Sequence, residues 1–532
     1  MKTVKTLFAL LLALALLSAL SVSAFADDPM GHSYRAFQIF SGKNSTDPRQ
    51  DPPVPVLTDI AWGNGVNSEG LLGALIGNAA FSPVPAFSTS TTARDVAEYL
   101  ATQSDNSDVM LAFARLAYQH RSGYGVECHN GSTNLSAGYY LVVDSSDLSN
   151  NLELSAYNAA LLQMTQNGTF DITMKTSVPT MVKKLKDIND TTGVETDWQD
   201  SADYDVNDIV PFQVTVSVGD LTYFQTYTLA LHDTLCPGLT LIQNDAAHPI
   251  TLTCGQNNIT SSAQFSITGD SAGNTLINVT VKDAKALGAS NSTVVLSYYA
   301  RLNENSVIGS AGNPNKVYLE YSNNPNIPDY IPDSTNPSVL VANPNAGPLG
   351  RTPEDLVRVF TYKLVVNKVD ETRQPLVGAK FELFKEVPNT STTSTEKTYV
   401  SLGEVDGANS TQFSWLRIDD GNYKLVETQA PAGYNTMEDI FFTVTADHQV
   451  LNDNPLLIAL EAGDTQSGSV STLAAQTSVT DGSITTTQQN LRGVVLPETG
   501  AAGNHLLYVI GSITLLGALI LIVTRKRVIG GF

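Results

Sequence analysis

A strict two-residue alternation of apolar side chains is the strongest constraint in this sequence. One phase of the central region holds an unbroken apolar set: Val210, Phe212, Val214, Val216 and Val218. Successive side chains of a strand point to opposite faces, so this run predicts a strand with one buried face. Similar short runs, separated by turn clusters such as 323–325 (Asn-Asn-Pro), predict an antiparallel β-sandwich.

Composition and charge limit the functions that this chain can have. The 532 residues are 42% hydrophobic, which is enough for about three domains, and the net charge of −22 argues against nucleic-acid binding. Cysteine is scarce, and although Cys236 could pair with Cys254, this would leave Cys128 free. The histidines and cysteines follow no metal-ligand spacing, so we expect no metal and no cofactor.

The N-terminus has the order of a secretory signal peptide. Lys2 and Lys5 precede an apolar run over 7–20, and Ala24-Phe25-Ala26 forms a small-x-small site before Asp27. The apolar run is short for a membrane span and ends in a cleavage-type sequence. We therefore expect residues 1–26 to be removed during secretion.

The C-terminus combines a short motif with an apolar run and a basic tail. The motif is Leu496, Pro497, Glu498, Thr499 and Gly500; it precedes an apolar stretch over 506–523, which we predict to be transmembrane, and then 525–527 (Arg-Lys-Arg). This arrangement resembles the cell-wall sorting signal (LPXTG) of sortase substrates. The resemblance implies that the bond after Thr499 is cut, that Thr499 becomes the acyl donor, and that the protein is fixed to peptidoglycan. The alternative is a simple one-span membrane protein.

Four further stretches resemble known surface proteins. The sequence over 33–42, together with 60–63, resembles the N-terminal domain of isopeptide-forming fimbrial subunits, the major pilins of Gram-positive bacteria. The stretches 376–383 and 426–434 resemble the B-type repeats of collagen-binding adhesins, which are prealbumin-like (transthyretin-like) sandwiches.

From these patterns we predict a mainly β fold, with tandem Ig-like and transthyretin-like β-sandwich domains preceded by an α+β N-terminal domain. A helical pattern over 93–120 accounts for the helical part of that first domain. The predicted segments are 1–26 (signal peptide), 27–174 (N-terminal pilin domain), 175–350 (isopeptide-forming middle sandwich), 351–493 (B-type sandwich) and 494–532 (sorting signal).

Certain ionisable side chains occur where the alternation predicts apolar ones. Lys183 shares a phase with Met181 and Leu185, Asp233 with the leucines around it, and Asn315 with Val317. Burial lowers the pKa of a lysine and raises that of a carboxylic acid, so a buried lysine can become a neutral nucleophile. We hypothesise that Lys183 attacks the side-chain amide of Asn315, with Asp233 as the promoting acid. The alternative is a lysine whose amine snorkels to solvent.

The predicted B-type sandwich over 351–493 repeats this pattern. The resemblance to B-type repeats assigns Lys368 as the amine and Glu427 as the acid, and it implies an acceptor on the final strand. Asn490 fits that position, although its in-phase neighbours are polar; Asn452 and Asn454 are the other candidates.

The resemblance to major pilins implies that a surface lysine accepts the acyl group of the next copy. Lys175 occupies the expected position shortly before Pro179, with Lys184 and Lys186 as substitutes. We thus expect a structural pilus subunit rather than an enzyme, apart from its own autocatalytic cross-linking. Its partners would be sortase, peptidoglycan, further copies of itself and minor pilins. The alternative is a monomeric wall-anchored adhesin or minor pilin that binds a host ligand.

Overall fold

The structure, a computed structural model, describes residues 33–47, 54–82, 87–128, 133–145, 157, 159–164, 167–168, 178–389, 397–465, 472–494 and 501–529. The predicted signal peptide and the five-residue motif at 496–500 lie outside these residues. Because strands predominate and are arranged in several sheets, the predicted mainly β class is confirmed.

The N-terminal region packs helices against one sheet. Its strands are β1 (Tyr34–Asp47), β2 (Val54–Trp62), β3 (Val126–Cys128), β4 (Gly138–Asp144) and β5 (Ala159–Met164), in the order β2-β1-β4-β5 with β3 beside β1. The helices are Ser68–Gly77, Ala93–Leu100 and Asp108–Gln119, with a 3₁₀ turn at Ala79–Phe81. This α+β arrangement agrees with the prediction.

The helix predicted over 93–120 is divided into two. The first helix ends at Leu100, and the second begins at Asp108 after Ser107, whose side chain accepts a hydrogen bond from the Met110 backbone N–H. Asn106 has a left-handed φ of 58°, which no continuous helix accommodates. The N-cap preference of serine is thus the physical reason for the break.

The middle region is a two-sheet sandwich around one apolar core. One sheet has the order β14-β13-β17-β10-β6 with β12 beside β17, and the other has the order β15-β16-β11-β18-β22-β9 with β21 beside β18. Val210, Phe212, Val214 and Val216 are fully buried on β10, as their alternation predicts. The strands are β6 (Thr180–Leu185), β7 (Ile188–Asn189), β8 (Val194–Glu195), β9 (Ser201–Asp203), β10 (Ile209–Val218), β11 (Leu229–Leu235), β12 (Leu239–Leu241), β13 (Thr251–Cys254), β14 (Asn257–Asn258), β15 (Gln264–Gly269), β16 (Thr275–Val281), β17 (Ser292–Leu302), β18 (Asn313–Tyr321), β19 (Tyr330–Pro332), β20 (Leu340–Ala342), β21 (Gly350–Arg351) and β22 (Asp355–Phe360), with a 3₁₀ turn at Thr260–Ser262.

The third region is a second sandwich with its own core. Its sheets have the orders β26-β23-β31-β30 and β25-β24-β27-β28-β29. The first and last long strands of the region, β23 and β31, pair in parallel. The strands are β23 (Tyr362–Val369), β24 (Lys380–Val387), β25 (Thr398–Asp406), β26 (Gln412–Ile418), β27 (Gly421–Gln429), β28 (Ile440–His448), β29 (Leu457–Asp464), β30 (Gln476–Ser478) and β31 (Ser483–Gln489).

The transmembrane prediction for 506–523 is wrong. A helix, Ala501–Ile529, covers these residues. In the part of the chain that the structure describes, however, no helix combines the length and the hydropathy that a bilayer crossing requires.

The disulfide that Cys236 and Cys254 could form is absent from the structure, where both cysteines are free. Cys236 follows β11 in one sheet of the middle sandwich, whereas Cys254 ends β13 in the other. The two thiols therefore belong to opposite sheets of the sandwich.

A glycine contact between the two sandwiches generates a stability prediction. Gly309 has a φ of +90°, and a Cβ built there would lie 2.5 Å from the Thr480 carbonyl oxygen and 2.6 Å from the Gly482 nitrogen. Gly309→Ala should lower the thermal unfolding temperature because it adds a backbone clash to a strained φ, which by itself costs about 1–3 kcal/mol.

Gly288→Ala is the matched control, since Gly288 has a similar φ of +86° but no atom within 4 Å of its added Cβ. Differential scanning calorimetry of both variants separates strain from clash. Equal losses in the two variants would contradict the close approach.

Candidate cross-linking sites

The middle sandwich brings Lys183, Asp233 and Asn315 together in its core. Lys183 lies on β6 in one sheet, whereas Asp233 on β11 and Asn315 on β18 belong to the sheet opposite. Their exposed fractions are 0%, 1% and 0%. The Lys183 Nζ donates to the Asp233 carboxylate. The amine therefore does not snorkel to solvent.

Tyr298 links the three groups, and sequence reasoning missed it. Its hydroxyl donates to Asp233 Oδ2 at 2.7 Å and accepts from Lys183 Nζ and Asn315 Nδ2, both at 2.8 Å. Tyr298 lies on β17 in phase with buried Leu296 and Ala300. An in-phase tyrosine is equally typical of an ordinary core position, so the pattern carried no distinguishing signal.

Burial sets the protonation chemistry of this site. It lowers the pKa of Lys183, against the opposing effect of Asp233, and it raises the pKa of Asp233. These shifts favour a neutral amine beside a protonated acid. Asp233 Oδ1 and Asn315 Oδ1 are buried without a hydrogen-bond partner in the described residues. An acid proton between these two oxygens would satisfy both and polarise the amide carbonyl.

The third sandwich contains an equivalent group. Lys368 lies on β23, Glu427 on β27 in the other sheet, and Asn490 directly after β31; their exposed fractions are 1%, 3% and 1%. The Lys368 Nζ is 3.7 Å from Glu427 Oε1 and donates to the Gln488 carbonyl at 3.2 Å. The Asn490 Nδ2 donates to Glu427 Oε2 at 3.0 Å and to the Asn435 carbonyl at 2.8 Å.

Burial affects the amine of this second site in the same direction. Burial lowers the pKa of Lys368 to about 8, although the nearby Glu427 opposes this shift. Glu427 Oε1 and Asn490 Oδ1 again lie buried without hydrogen-bond partners in the described residues. Both sites thus present an amine, an acid and an amide with one unsatisfied oxygen on the acid and one on the amide.

The polar neighbours of Asn490 on β31 have a structural explanation. Thr486 Oγ1 donates to the Leu473 carbonyl, and Gln488 Nε2 donates to the Thr472 carbonyl at 2.9 Å. These side chains therefore face inward and bind a neighbouring backbone segment. Asn452 and Asn454 are both exposed, and Asn454 binds Arg358 instead of the lysine. The structure thus brings Asn490 to the site and not these alternatives.

The other predicted site residues are placed differently. Lys175 and the motif residues Leu496, Pro497, Glu498, Thr499 and Gly500 lie outside the described residues. Of the substitute lysines, Lys184 binds Asp200 and Lys186 binds Glu195.

A third buried lysine has the opposite chemistry. Lys385 is 3% exposed, and its amine contacts the carboxylates of Asp190, Asp205 and Asp419. Burial alone would lower the pKa of Lys385, but these carboxylates together raise it above its ordinary value. Lys385 is consequently held as an ammonium ion, which is not a nucleophile.

The free amine of Lys368 generates a pH prediction. In an Asn490→Ala variant the amine has no amide to attack, so it titrates near pH 8 in the folded protein, against an ordinary value of 10.5. The unfolded chain then binds more protons than the folded chain between these two values. The stability of the variant should therefore rise with pH across that window and be lowest below it.

Urea unfolding of Asn490→Ala at about pH 7 and about pH 10 measures this rise. The matched control is the double variant Asn490→Ala, Lys368→Met, which lacks the amine. The interpretation fails if both proteins change equally with pH.

Comparison with known proteins found two matching family models. Residues 362–454 match the family model of the SpaA prealbumin-like fold domain, and residues 493–529 match that of the LPXTG cell wall anchor motif. The trypsin-resistant surface T6 protein of Streptococcus pyogenes serotype M6 is 25% identical over 275 residues, which cover 44% of this chain and 48% of that protein. The chain thus spans about half the length of this relative.

Solved structures of two pilins are also similar. The T6 backbone pilin of S. pyogenes serotype M6 gives a TM-score of 0.47 at 16% identity, covering 88% of this chain and 97% of that one. The major pilin SpaA of Corynebacterium diphtheriae gives 0.39 at 12% identity, covering 87% and 95%. We base no inference on scores this low. The sequence matches confirm the predicted resemblance to Gram-positive major pilins and the predicted location at the cell wall: the chain carries a SpaA-type prealbumin-like domain and an LPXTG cell wall anchor motif.

Proposed function

We propose that this chain is a structural subunit of a sortase-assembled, covalently polymerised pilus, stabilised by two intramolecular isopeptide bonds, Lys183–Asn315 and Lys368–Asn490. The observation that carries the proposal is the buried amine beside an acid and an amide in each of two sandwiches. The cell wall anchor motif supports attachment at the surface.

The bond-forming step follows from the contacts in each site. The neutral lysine nitrogen attacks the Asn side-chain carbon while the protonated acid, Asp233 or Glu427, donates a hydrogen bond to the amide oxygen. The acid then moves a proton from the attacking nitrogen to the departing one. One C–N bond forms, one breaks, and ammonia leaves. Each acid acts once on its own chain, so the protein has no turnover and is not an enzyme in the usual sense.

The two bonds would hold different parts of each sandwich. In the middle sandwich the bond ties β6 to β18, which belong to opposite sheets. In the third sandwich it ties β23 to the end of β31, which are neighbours in one sheet. In both cases an early strand of the sandwich is joined to a late one, so the chain between them becomes a covalently closed loop.

Assembly between copies would use the two ends of the folded part. Sortase cuts after Thr499 and passes its carboxyl group to a lysine amine of another copy, for which we propose Lys175. Lys184 and Lys186 are weaker acceptors because both amines are ion-paired. The last acyl transfer to peptidoglycan would anchor the fibre, and minor pilins would be further acceptors.

Intact-mass measurement of the secreted protein tests the internal bonds. The wild type should be lighter than its sequence mass by two molecules of ammonia. Asp233→Asn and Glu427→Gln, which keep the side-chain size but remove the acid, should each restore one ammonia.

Lys184→Ala is the control for these variants, because Lys184 adjoins Lys183 on β6 but its amine binds Asp200 and not the acid of the site. It should retain both ammonia losses. A wild-type protein at its full sequence mass would refute the isopeptide bonds.

Immunoblotting of cell-wall extracts tests polymerisation. Lys175→Arg should abolish high-mass ladders while leaving the monomer at the wall, since arginine keeps the charge but is not acylated. Lys184→Arg and Lys186→Arg serve as matched controls and should leave the ladders intact. Unchanged ladders in Lys175→Arg would exclude this lysine as the acceptor.

A wall-anchored adhesin or minor pilin is the second candidate. The observation that favours it is a cleft of about 1000 Å³ in the N-terminal region, lined by β2 and by the helix Ala93–Leu100. A cleft of this size can hold a small ligand. Monomer alone in wall extracts of the unaltered protein would favour this candidate over the pilus subunit.

A further inference from the structure

The junction between the middle and third sandwiches contains many carboxylates and few cations. Two neighbouring groups of acids lie there: Asp190, Asp205, Asp208 and Asp419 form one, and Asp187 and Asp203 form the other together with His448. Within each group, one ligand atom from every residue lies within 4.8 Å of those of the others. Buried carboxylates at such distances repel one another unless a cation lies between them or one of them holds a proton.

The first group has its cation in the chain itself. The Lys385 Nζ contacts Asp190 and Asp205 at 2.7 and 2.6 Å and also contacts Asp419. An ammonium ion therefore occupies the centre of that group. The described residues provide no lysine or arginine contact to Asp187 or Asp203, so the charge of the second group is balanced by His448, by a proton on a carboxylate or by an added ion.

The hydrogen bonds of His448 determine which ring nitrogen faces the acids. Ser201 Oγ donates its single proton to the Gln449 carbonyl at 2.9 Å, since a carbonyl oxygen can only accept. Ser201 must then accept from His448 Nδ1, which lies 2.8 Å away. His448 Nδ1 consequently carries a proton, and Nε2 faces Asp203 Oδ1 at 3.4 Å. The hydrogen bond from Nδ1–H to Ser201 fixes the tautomer and leaves Nε2 available to a metal, which is what the second partner of a metal-ligating histidine does.

A second buried group points to a ligand at the same place. The Tyr362 hydroxyl is fully buried and has no hydrogen-bond partner in the described residues. Asp203 is the first carboxylate that acts electrostatically on this hydroxyl, followed by Asp420 and Asp419. The hydroxyl therefore lies against the acids around His448 and is available to a metal-bound water.

We propose that Asp187, Asp203 and His448 bind a divalent transition-metal ion, best Zn²⁺, that bridges the two sandwiches. The two carboxylates neutralise its charge, and the imidazole favours zinc over the oxygen-preferring Ca²⁺ and Mg²⁺. Asp187 precedes β7 and Asp203 lies on β9 of the middle sandwich, whereas His448 ends β28 of the third. The metal would thus fix the two sandwiches to each other without a covalent bond between them.

Equilibrium dialysis of the purified full chain against Zn²⁺, with metal analysis, tests this site. The wild type should bind one zinc ion more per chain than His448→Gln or Asp203→Asn. Asp190→Asn is the matched control in the neighbouring group occupied by Lys385, and it should bind as much zinc as the wild type. Ser201→Ala, which removes only the orienting hydroxyl, should weaken zinc binding about 10- to 100-fold.

Thermal unfolding provides a second measurement for variants that fold poorly. Added Zn²⁺ should raise the unfolding temperature of the wild type and of Asp190→Asn, but not that of His448→Gln. Equal zinc binding by the wild type and His448→Gln, or no binding by the wild type, would overturn the proposal. Neither result bears on the isopeptide bonds, which involve other residues.

Discussion

Removing a lysine amine from water is the physical constraint on which this structure depends. A buried charge is tolerated only when it is neutralised or paired, and the two sandwiches use both solutions. In the described residues, Lys183 and Lys368 each have one carboxylate within 4 Å of the amine, so burial dominates and lowers their pKa values. Lys385 lies among three carboxylates, which raise its pKa. The number of acids around the amine thus decides whether the lysine is a nucleophile or a permanent cation.

The sheets provide the positions that this chemistry requires. Each site takes its lysine from one sheet and its acid from the other, so reactive groups meet only when the two sheets pack. Alternation along the strands turns these side chains inward, and the apolar residues around them exclude water. The proposed reaction would not occur in the unfolded chain, because an exposed lysine remains protonated at neutral pH. Cross-linking would therefore follow folding.

Much of this arrangement could be predicted from strand periodicity, because Lys183, Asp233 and Asn315 interrupt apolar phases. Lys385 interrupts the phase of Phe381 and Leu383 in the same way, so it could have been found and was missed. Tyr298 could not have been found from the sequence, since tyrosine is an ordinary core residue. The contact of His448 with the middle sandwich depends on how the sandwiches dock, which no local pattern encodes. Similarly, the predicted division at 350 follows a Pro- and Asn-rich stretch, yet β22 beyond it pairs with β18.

The parallel pairing of β23 with β31 has a mechanical consequence. The chain enters the third sandwich at the start of β23 and leaves it at the end of β31, and these two points lie at opposite ends of the paired strands. Tension between the entry and exit points therefore pulls the two strands lengthwise past each other. Their hydrogen bonds share this load simultaneously instead of opening one after another. The ladder resists shear before any covalent link is stretched.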